Sequence, residues 1–305
     1  MNKVVKGVSA AVLTPRLADE SVDVASLRAL IEFLMDRGIT SFAMNGATGE
    51  YCYTTPEQLR LILRTVKEAS GGAAKIVCGV GAAGAHGTQQ LIRVAEEAGV
   101  QALLLPMPYF FIYQQQDVEA FSRTMAASTE LPILLYNLPQ FAGELQPVTA
   151  RRLITEVPNI IGIKDSSGSL DILTDLTQHR IDAVRIIGND SVYVPALRDK
   201  ICDGVISGVA CVLPELMLGI ESLRERADSA GMAEYTRLLD EFIEKLLLFP
   251  TPWGLKFMAQ ARGIFTPQIG LPLSGHRRES SDHAIEWLRA WLPNALQIIQ
   301  TAKTT

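Results

Sequence analysis

The chain is poor in the residues that would commit it to several large functional classes. Only four of its 305 residues are cysteine, Cys52, Cys78, Cys202 and Cys211. None forms a CxxC pair, and no histidine stands at zinc-finger spacing from any of them. Cys78 and Cys211 sit inside apolar runs, where they read as small core residues. This usage points to free thiols in a reducing cytoplasm rather than to a disulfide scaffold. The four histidines, His86, His179, His276 and His283, are scattered without metal spacing and read as surface residues. There is no basic run and the net charge is -5, so the electrostatic footprint of a nucleic-acid binder is missing. No apolar run is long enough to span a membrane. The opening "MNKVVKGVSAAVLTP" ends in Thr14-Pro15 instead of a small-residue cleavage site, so it reads as a first strand rather than a signal peptide.

What is present is an ordinary globular composition, 48% hydrophobic and 20% charged, long enough for a large core. Eight short β-branched runs punctuate the chain, at 7–15, 41–46, 75–81, 102–108, 132–139, 160–165, 184–190 and 204–212. They are nearly continuous in hydrophobicity, as strands covered on both faces are. Amphipathic segments separate them. "SLRALIEFLMDRG" (26–38) places Leu27, Leu30, Ile31 and Leu34 on one face, with Gly38 as a stop. "TPEQLRLILRTVKEASGG" opens with Thr55 as an N-cap and Pro56 at the first helical position. Segments 88–99, 118–128, 149–157, 170–180 and 191–201 fill the other gaps.

Eight βα units predict an α/β fold, a (β/α)8 TIM barrel over 1–230, with a helical C-terminal extension over 231–305. In that extension 235–249, 251–263 and 284–300 read as helices, and Trp253, Trp287 and Trp291 as packing anchors. A doubly wound sheet is the competing fold. It requires a phosphate fingerprint after an early strand. The spacing Gly79-Val80-Gly81-Ala82-Ala83-Gly84 fits one formally, but the helix begins late and no acidic partner follows. An NAD-dependent barrel rests on that match alone.

In a barrel the reactive groups lie at the C-terminal ends of the strands. There "NIIGIKDSSG" (159–168) ends an apolar strand on Lys164. Alternation puts Ile160, Gly162 and Lys164 on one face and Ile161 and Ile163 on the other. If the latter pair packs on helices, Lys164 points into the barrel, and Gly162 leaves space for its stem. Desolvation favours a neutral amine, the form that attacks a carbonyl to make a Schiff base. A lysine snorkelling at the rim is the alternative. Tyr136, in "PILLYNLP", ends the preceding strand and brings a phenol beside the amine, where it can relay protons. The turn "NGATGE" (45–50) offers converging backbone N–H groups and the Thr48 hydroxyl to an anion, and Glu50 orders its end. Asn189 and Asp190 line the mouth or cap a loop.

These pieces together resemble the class I aldolases of the dihydrodipicolinate synthase / N-acetylneuraminate lyase family. The shared stretches run the length of the chain: "AVLTP" (11–15), "GATGE" (46–50), "LYNLP" (135–139), "IIGIKDSSG" (160–168), "GND" (188–190) and "DGVISG" (203–208). The resemblance implies Lys164 as the Schiff-base lysine, Tyr136 as the proton-transfer tyrosine, and Ala47, Thr48 and Gly49 as the cradle for a carboxylate. It places the Ile206 backbone against a bound 2-oxo acid, and implies a homo-oligomer, tetramer or dimer, with no metal and no organic cofactor. Three departures bear on the second substrate. Ala47 stands where the family often has a first hydroxyl. "PYFF" gives Tyr109 then Phe110 where the synthase has two tyrosines. Phe141 stands where the synthase has an arginine for the second substrate's carboxylate. An apolar ring in place of a guanidinium removes a bidentate partner. The expected chemistry is therefore a Schiff-base lyase or aldolase acting on pyruvate or a related 2-oxo acid with a less acidic aldehyde. The alternatives are a 2-oxo sugar-acid dehydratase or aldolase, and a non-catalytic carboxylate-binding barrel.

Overall fold

The computed structural model describes residues 5–304, with side chains through residue 300, so residues 1–4 and 305 of the expected segments lie outside it. The strands are β1 (Gly7–Ala11), β2 (Ser41–Met44), β3 (Lys75–Gly79), β4 (Ala102–Pro106), β5 (Ile133–Asn137), β6 (Ile160–Asp165), β7 (Val184–Ile187) and β8 (Gly204–Ser207). All pair in parallel and in chain order, and β8 closes onto β1. The expected (β/α)8 barrel is thus the fold. Helices α1 (Val24–Asp36), α2 (Pro56–Ala69), α3 (Ala85–Glu97), α4 (Gln115–Ala126), α5 (Pro147–Glu156), α6 (Asp171–Gln178) and α7 (Tyr193–Arg198) follow the first seven strands. The short α8 (Val209–Val212) and α9 (Pro214–Arg226) follow β8, then α10 (Ser229–Leu246), α11 (Trp253–Ala261) and α12 (Gly275–Thr304).

Every strand is buried on both faces, which is why its sequence does not alternate. On β5, Ile133 and Leu135 join the layer between strands and helices, while Leu134 and Tyr136 face the lumen. β4 repeats this with Leu103 and Leu105 outside and Ala102 and Leu104 inside. Each fully buried leucine or isoleucine contributes about 1.5–3 kcal/mol of apolar transfer. Leu27, Leu30, Ile31 and Leu34 of α1 are all buried, as their spacing requires. Thr55 and Gln58 form a reciprocal capping box at the start of α2, with Pro56 at the first position.

The strands stop earlier than the apolar runs suggest, because the runs continue into buried loops at the C-terminal mouth. The run 204–212 is strand only to Ser207, and its second half is α8, a helix that is apolar all round because it is wholly buried. The segment 191–201 holds a 3-10 turn at Asp190–Val192 before α7. At the chain's end, α12 begins at Gly275, before the expected helix at 284, and the boundary expected at 230/231 falls within α10. Trp287 stacks on Trp291, which also meets Phe242, so these rings anchor α12 on α10.

One local expectation is overturned. Ile161 does not join Ile163 outside the barrel. Ile160 and Ile163 belong to the outer layer, and Ile161 packs against the lumen cluster. The cause is a bulge. Ile133 pairs with Ile160 but Leu134 with Gly162, so Ile161 is an extra residue and strict alternation fails. Beyond the bulge the register is regular, and Tyr136 pairs with Lys164.

Gly162 has a different use from making room for Lys164. A Cβ there would collide with the Val184 carbonyl of β7 and lie 2.7 Å from its N and C atoms. The glycine lets two backbones meet. Gly162→Ala is expected to cost about 3 kcal/mol or more of unfolding free energy, because backbone cannot move aside as a side chain can. Urea unfolding followed by far-UV circular dichroism checks this, and an unchanged midpoint contradicts it.

Candidate active site

The C-terminal mouth of the barrel opens into a cavity of about 320 Å³. Its floor comes from strand ends: Ala11, Tyr136, Lys164 and Ile206, with Ala47 and Thr48 just past β2. Ser166 and Gly188 to Asp190 form one wall, and Leu138, Gln140 and Phe141 another. Above them stand Ile243, Leu246 and Leu247 at the end of α10, followed by Phe249, Pro250 and Leu255.

Lys164 is 3% exposed and Tyr136 is also 3% exposed. The amine lies over the phenol ring, Nζ 4.2 Å from its centroid. The pair is a consequence of register, since cross-strand partners point to the same side. Directly beyond it Asn137 pairs with Asp165 and donates from Nδ2 to Asp165 Oδ1 at 3.0 Å. Asp165 Oδ1 also accepts from the Ser167 amide, and Asn137 Oδ1 accepts from the Leu145 amide. These bonds fix the loops after β5 and β6. Burial pushes the Asp165 carboxyl upward despite its donors.

Space for the lysine stem is supplied by Gly188. A Cβ there would lie 2.7 Å from Lys164 Cε and 3.1 Å from its Cγ, and would run into Ser166 Oγ. Gly188 follows β7, the other neighbour of β6, so the barrel's order rather than local sequence brings it to the lysine.

Asp190 both lines the mouth and caps a loop. Its Oδ2 accepts from the Val209 amide at 3.2 Å, and its Oδ1 is buried without a partner. Burial raises its carboxyl above the usual range, and Lys164 acts in the opposite direction. Asn189 is committed to Ser191, whose amide and hydroxyl both donate to its Oδ1. Ser166 Oγ is a second buried atom without a partner on the cavity wall.

Of the residues singled out in the sequence, Lys164, Tyr136, Ala47, Thr48, Phe141 and Ile206 meet at the cavity. Two do not line it. Gly49 is buried within the turn, where a Cβ would lie 3.1 Å from the Asn45 backbone. Tyr109 packs edge-on against Tyr51, ring centroids 5.9 Å apart, and burial raises both phenols. Phe141 is at the rim and 55% exposed. The roof residues and Gly188 escaped sequence reasoning because nothing local marks them. Lys256 escaped it although a lone charge inside "PWGLKFMA" is the same signal that marks Lys164. All four histidines are exposed. Among the described residues no three His, Cys, Asp or Glu side chains gather where they could hold a metal ion, and no helix is long and apolar enough to cross a membrane.

Comparison with known proteins agrees with this architecture. The sequence profile of the dihydrodipicolinate synthetase family matches residues 4–290. The 4-hydroxy-tetrahydrodipicolinate synthase of Moorella thermoacetica is 32% identical over 273 residues, 89% of this chain and 93% of that protein. The chloride-inhibited dihydrodipicolinate synthase of Acinetobacter baumannii, solved with pyruvate, is 26% identical with a TM-score of 0.83, covering 92% of this chain and 98% of its own. Dihydrodipicolinate synthase from Aquifex aeolicus shares the fold at a TM-score of 0.86 and 24% identity, covering 94% and 98%.

Gly188→Ala is expected to leave the barrel folded, because flexible side chains rather than backbone meet the new methyl. The displaced lysine should lower the rate of imine formation with a 2-oxo acid by about 100-fold, as misplacement of a reacting group by about 1 Å does. Borohydride trapping followed by intact mass over time checks it, and wild-type trapping kinetics contradict it.

Proposed function

Because the chain belongs to the dihydrodipicolinate synthetase family, we propose that it is a lyase that makes or breaks a bond to pyruvate or a related 2-oxo acid through an imine on Lys164. The observation that carries this reading is the buried amine of Lys164 held over Tyr136 at the cavity floor. Its neutral form attacks C2 of the 2-oxo acid. Loss of water from the carbinolamine gives the imine, and loss of a proton from C3 gives an enamine. The enamine carbon then bonds to the aldehyde carbon, and hydrolysis releases the product; the reverse order describes cleavage. Tyr136 is the relay for the protons that these steps move. The Thr48 hydroxyl and the amides of its turn receive the 2-oxo acid's carboxylate, and the Ile206 backbone lies along it. A purely binding barrel has no use for an amine against a phenol.

The second substrate is best read as an aldehyde without a carboxylate. Among the described residues lining the cavity Lys164 is the one cation, and its imine already engages the first substrate. The rim position of Phe141 and the roof of Ile243, Leu246, Leu247, Phe249 and Leu255 suit an apolar or aromatic body. A hydroxylated partner, as in a 2-oxo sugar acid, is the second reading. It is favoured by Ser166 Oγ and Asp190 Oδ1, two buried polar atoms on the wall that substrate hydroxyls could satisfy.

The test pairs chemistry with selectivity. Pyruvate and borohydride should add one reduced pyruvyl unit to the Lys164 peptide of the wild type and none to Lys164→Ala. A panel of aldehydes, scored by pyruvate uptake and release, should prefer neutral ones over aspartate semialdehyde by about 10-fold or more, the range of one lost charge-assisted contact. Lack of any adduct on the folded protein defeats the mechanism. Efficient use of the semialdehyde defeats only the choice of partner.

A homo-oligomer, dimer or tetramer, completes the proposal, in the cytoplasm where free thiols persist. Its support is an apolar patch after β4, where Phe110, Phe111 and Ile112 are all exposed, the first at 87%. Sedimentation should give a species of at least two chains, and Phe111→Asp/Ile112→Asp should shift it toward the monomer. A wild-type monomer at micromolar concentration refutes it.

A further inference from the structure

Helix α11 carries a second buried ammonium that the proposed chemistry does not use. Lys256 is 1% exposed within a helix whose residues Gly254 to Ala259 are all buried. Its Nζ lies 2.7 Å from Glu50 Oε2 and donates to the Gln268 carbonyl at 3.2 Å. Glu50 is itself 7% exposed. A buried ion pair is a poor way to gain stability, since desolvating both charges offsets most of their attraction. Its better-attested use is to fix one arrangement among several.

The arrangement at stake is the turn that would hold the carboxylate. Asn45 and Glu50, its two ends, both have a φ of 56°, in the left-handed region that non-glycine residues disfavour. Between them the Glu50 amide donates to the Ala47 carbonyl at 3.0 Å, and the Tyr51 amide to Gly46 at 3.3 Å. Gly49 leaves no slack, with Thr14 Oγ1 3.2 Å from where its Cβ would be. Asn45 anchors the first end by donating from Nδ2 to the Gly79 carbonyl at 2.8 Å. The second end has Lys256, and Arg16, whose buried guanidinium feels the same carboxylate, stands nearby. Lys256 is adjacent to Leu255, which lines the cavity roof. One turn of α11 therefore touches both the roof of the site and the back of the cradle.

We infer that Lys256 is a positioning residue for the 2-oxo acid: through its ion pair with Glu50, α11 holds the Ala47–Gly49 turn in the conformation that receives the substrate carboxylate. This rests on the imine reading above. Lys256 touches no substrate and acts only through Glu50.

The informative variant removes both charges at once. Glu50→Gln/Lys256→Met removes both charges of the pair and retains shape, and Arg16 keeps its bonds to the Glu20 carbonyl, Gln58 and Thr54, so the variant should fold, whereas Lys256→Met alone leaves Glu50 buried without its ammonium. In the double variant the pyruvate concentration giving half-maximal borohydride trapping should rise by about 10- to 100-fold, with the trapped fraction at saturation unchanged, because the cradle and not the amine is altered. Amide hydrogen exchange across residues 45–51 should quicken by a similar factor while β5 and β6 keep their protection. Lys256→Arg, which retains the charge, should recover part of the half-saturation loss. If the double variant keeps wild-type half-saturation and wild-type exchange in the turn, the positioning role is wrong. If the wild type forms no adduct, the imine reading falls and this one with it, an outcome the wild-type control separates from the first. A double variant that does not fold assigns the pair to stability and overturns the inference equally.

Discussion

An amine taken out of water at the end of a strand has to be given room, kept in register with its partner and shielded from neighbours that would collapse on it. Most of the C-terminal mouth can be understood from that requirement. The room comes from Gly188, just past the end of one neighbouring strand, and the aromatic partner from Tyr136 on the other. Removing a charged group from water without compensation costs several kcal/mol, so the amine's neighbours influence both its stability and its reactivity. The ring face of Tyr136 is a weak acceptor of positive charge, worth about 0.5–2 kcal/mol, and Asp190 is the one carboxyl among the described residues that line the cavity.

The same geometry shows why backbone contacts matter as much as side chains here. Gly162 meets the Val184 carbonyl, Gly79 meets Asn45 and Gly204 meets Gly7, each pair joining neighbouring strands or their rims. These approaches fix how β6 sits against β7 and how the Asn45 turn sits on β3. The placement of reactive groups is inherited from them. The bulge at Ile161 belongs to this set, because it shifts the first half of β6 without disturbing the Tyr136–Lys164 pairing that follows.

Much of this was legible in the sequence, for identifiable reasons. Strands buried on both faces leave unbroken apolar runs, and eight of them separated by helices admit few topologies. A charge at the end of such a run is either a lysine snorkelling at the rim or a working amine, and Tyr136 decides between them because consecutive strands are neighbours. The errors came where chemistry depends on closure rather than on local pattern. Alternation fails at Ile161, beside Gly162, an isolated strand glycine of the kind that marks a bulge or a close backbone approach. Local sequence offers Gly162, two residues away, as the space for the lysine, whereas that space belongs to Gly188, just past the end of the next strand. Gly49 and Tyr109 are absent from the cavity lining, Gly49 within the turn after β2 and Tyr109 against Tyr51. The roof lies in residues 243–255, a distance along the chain that no periodicity bridges.

Charge balance within the cavity bears on what the second substrate can be. Among the described residues the wall offers one cation, Lys164, and one acid, Asp190. A bound 2-oxo acid brings a carboxylate, and the protonated imine keeps the single positive charge. That one positive charge is already balanced by the bound carboxylate, and burial raises the Asp190 carboxyl above the usual range. A second carboxylate on the aldehyde would be uncompensated, and two like charges 4 Å apart repel by about 4 kcal/mol at an effective dielectric near 20. A guanidinium at the rim would cancel that repulsion, but the rim carries Phe141. A neutral aldehyde avoids it altogether and gains contact with the ring and the aliphatic roof. Hydroxyl groups on such a partner are compatible with the same balance, since they satisfy Ser166 and Asp190 without adding charge. On the proposed reading the strand ends supply the carbonyl chemistry, and the rim and the C-terminal helices favour a partner without charge.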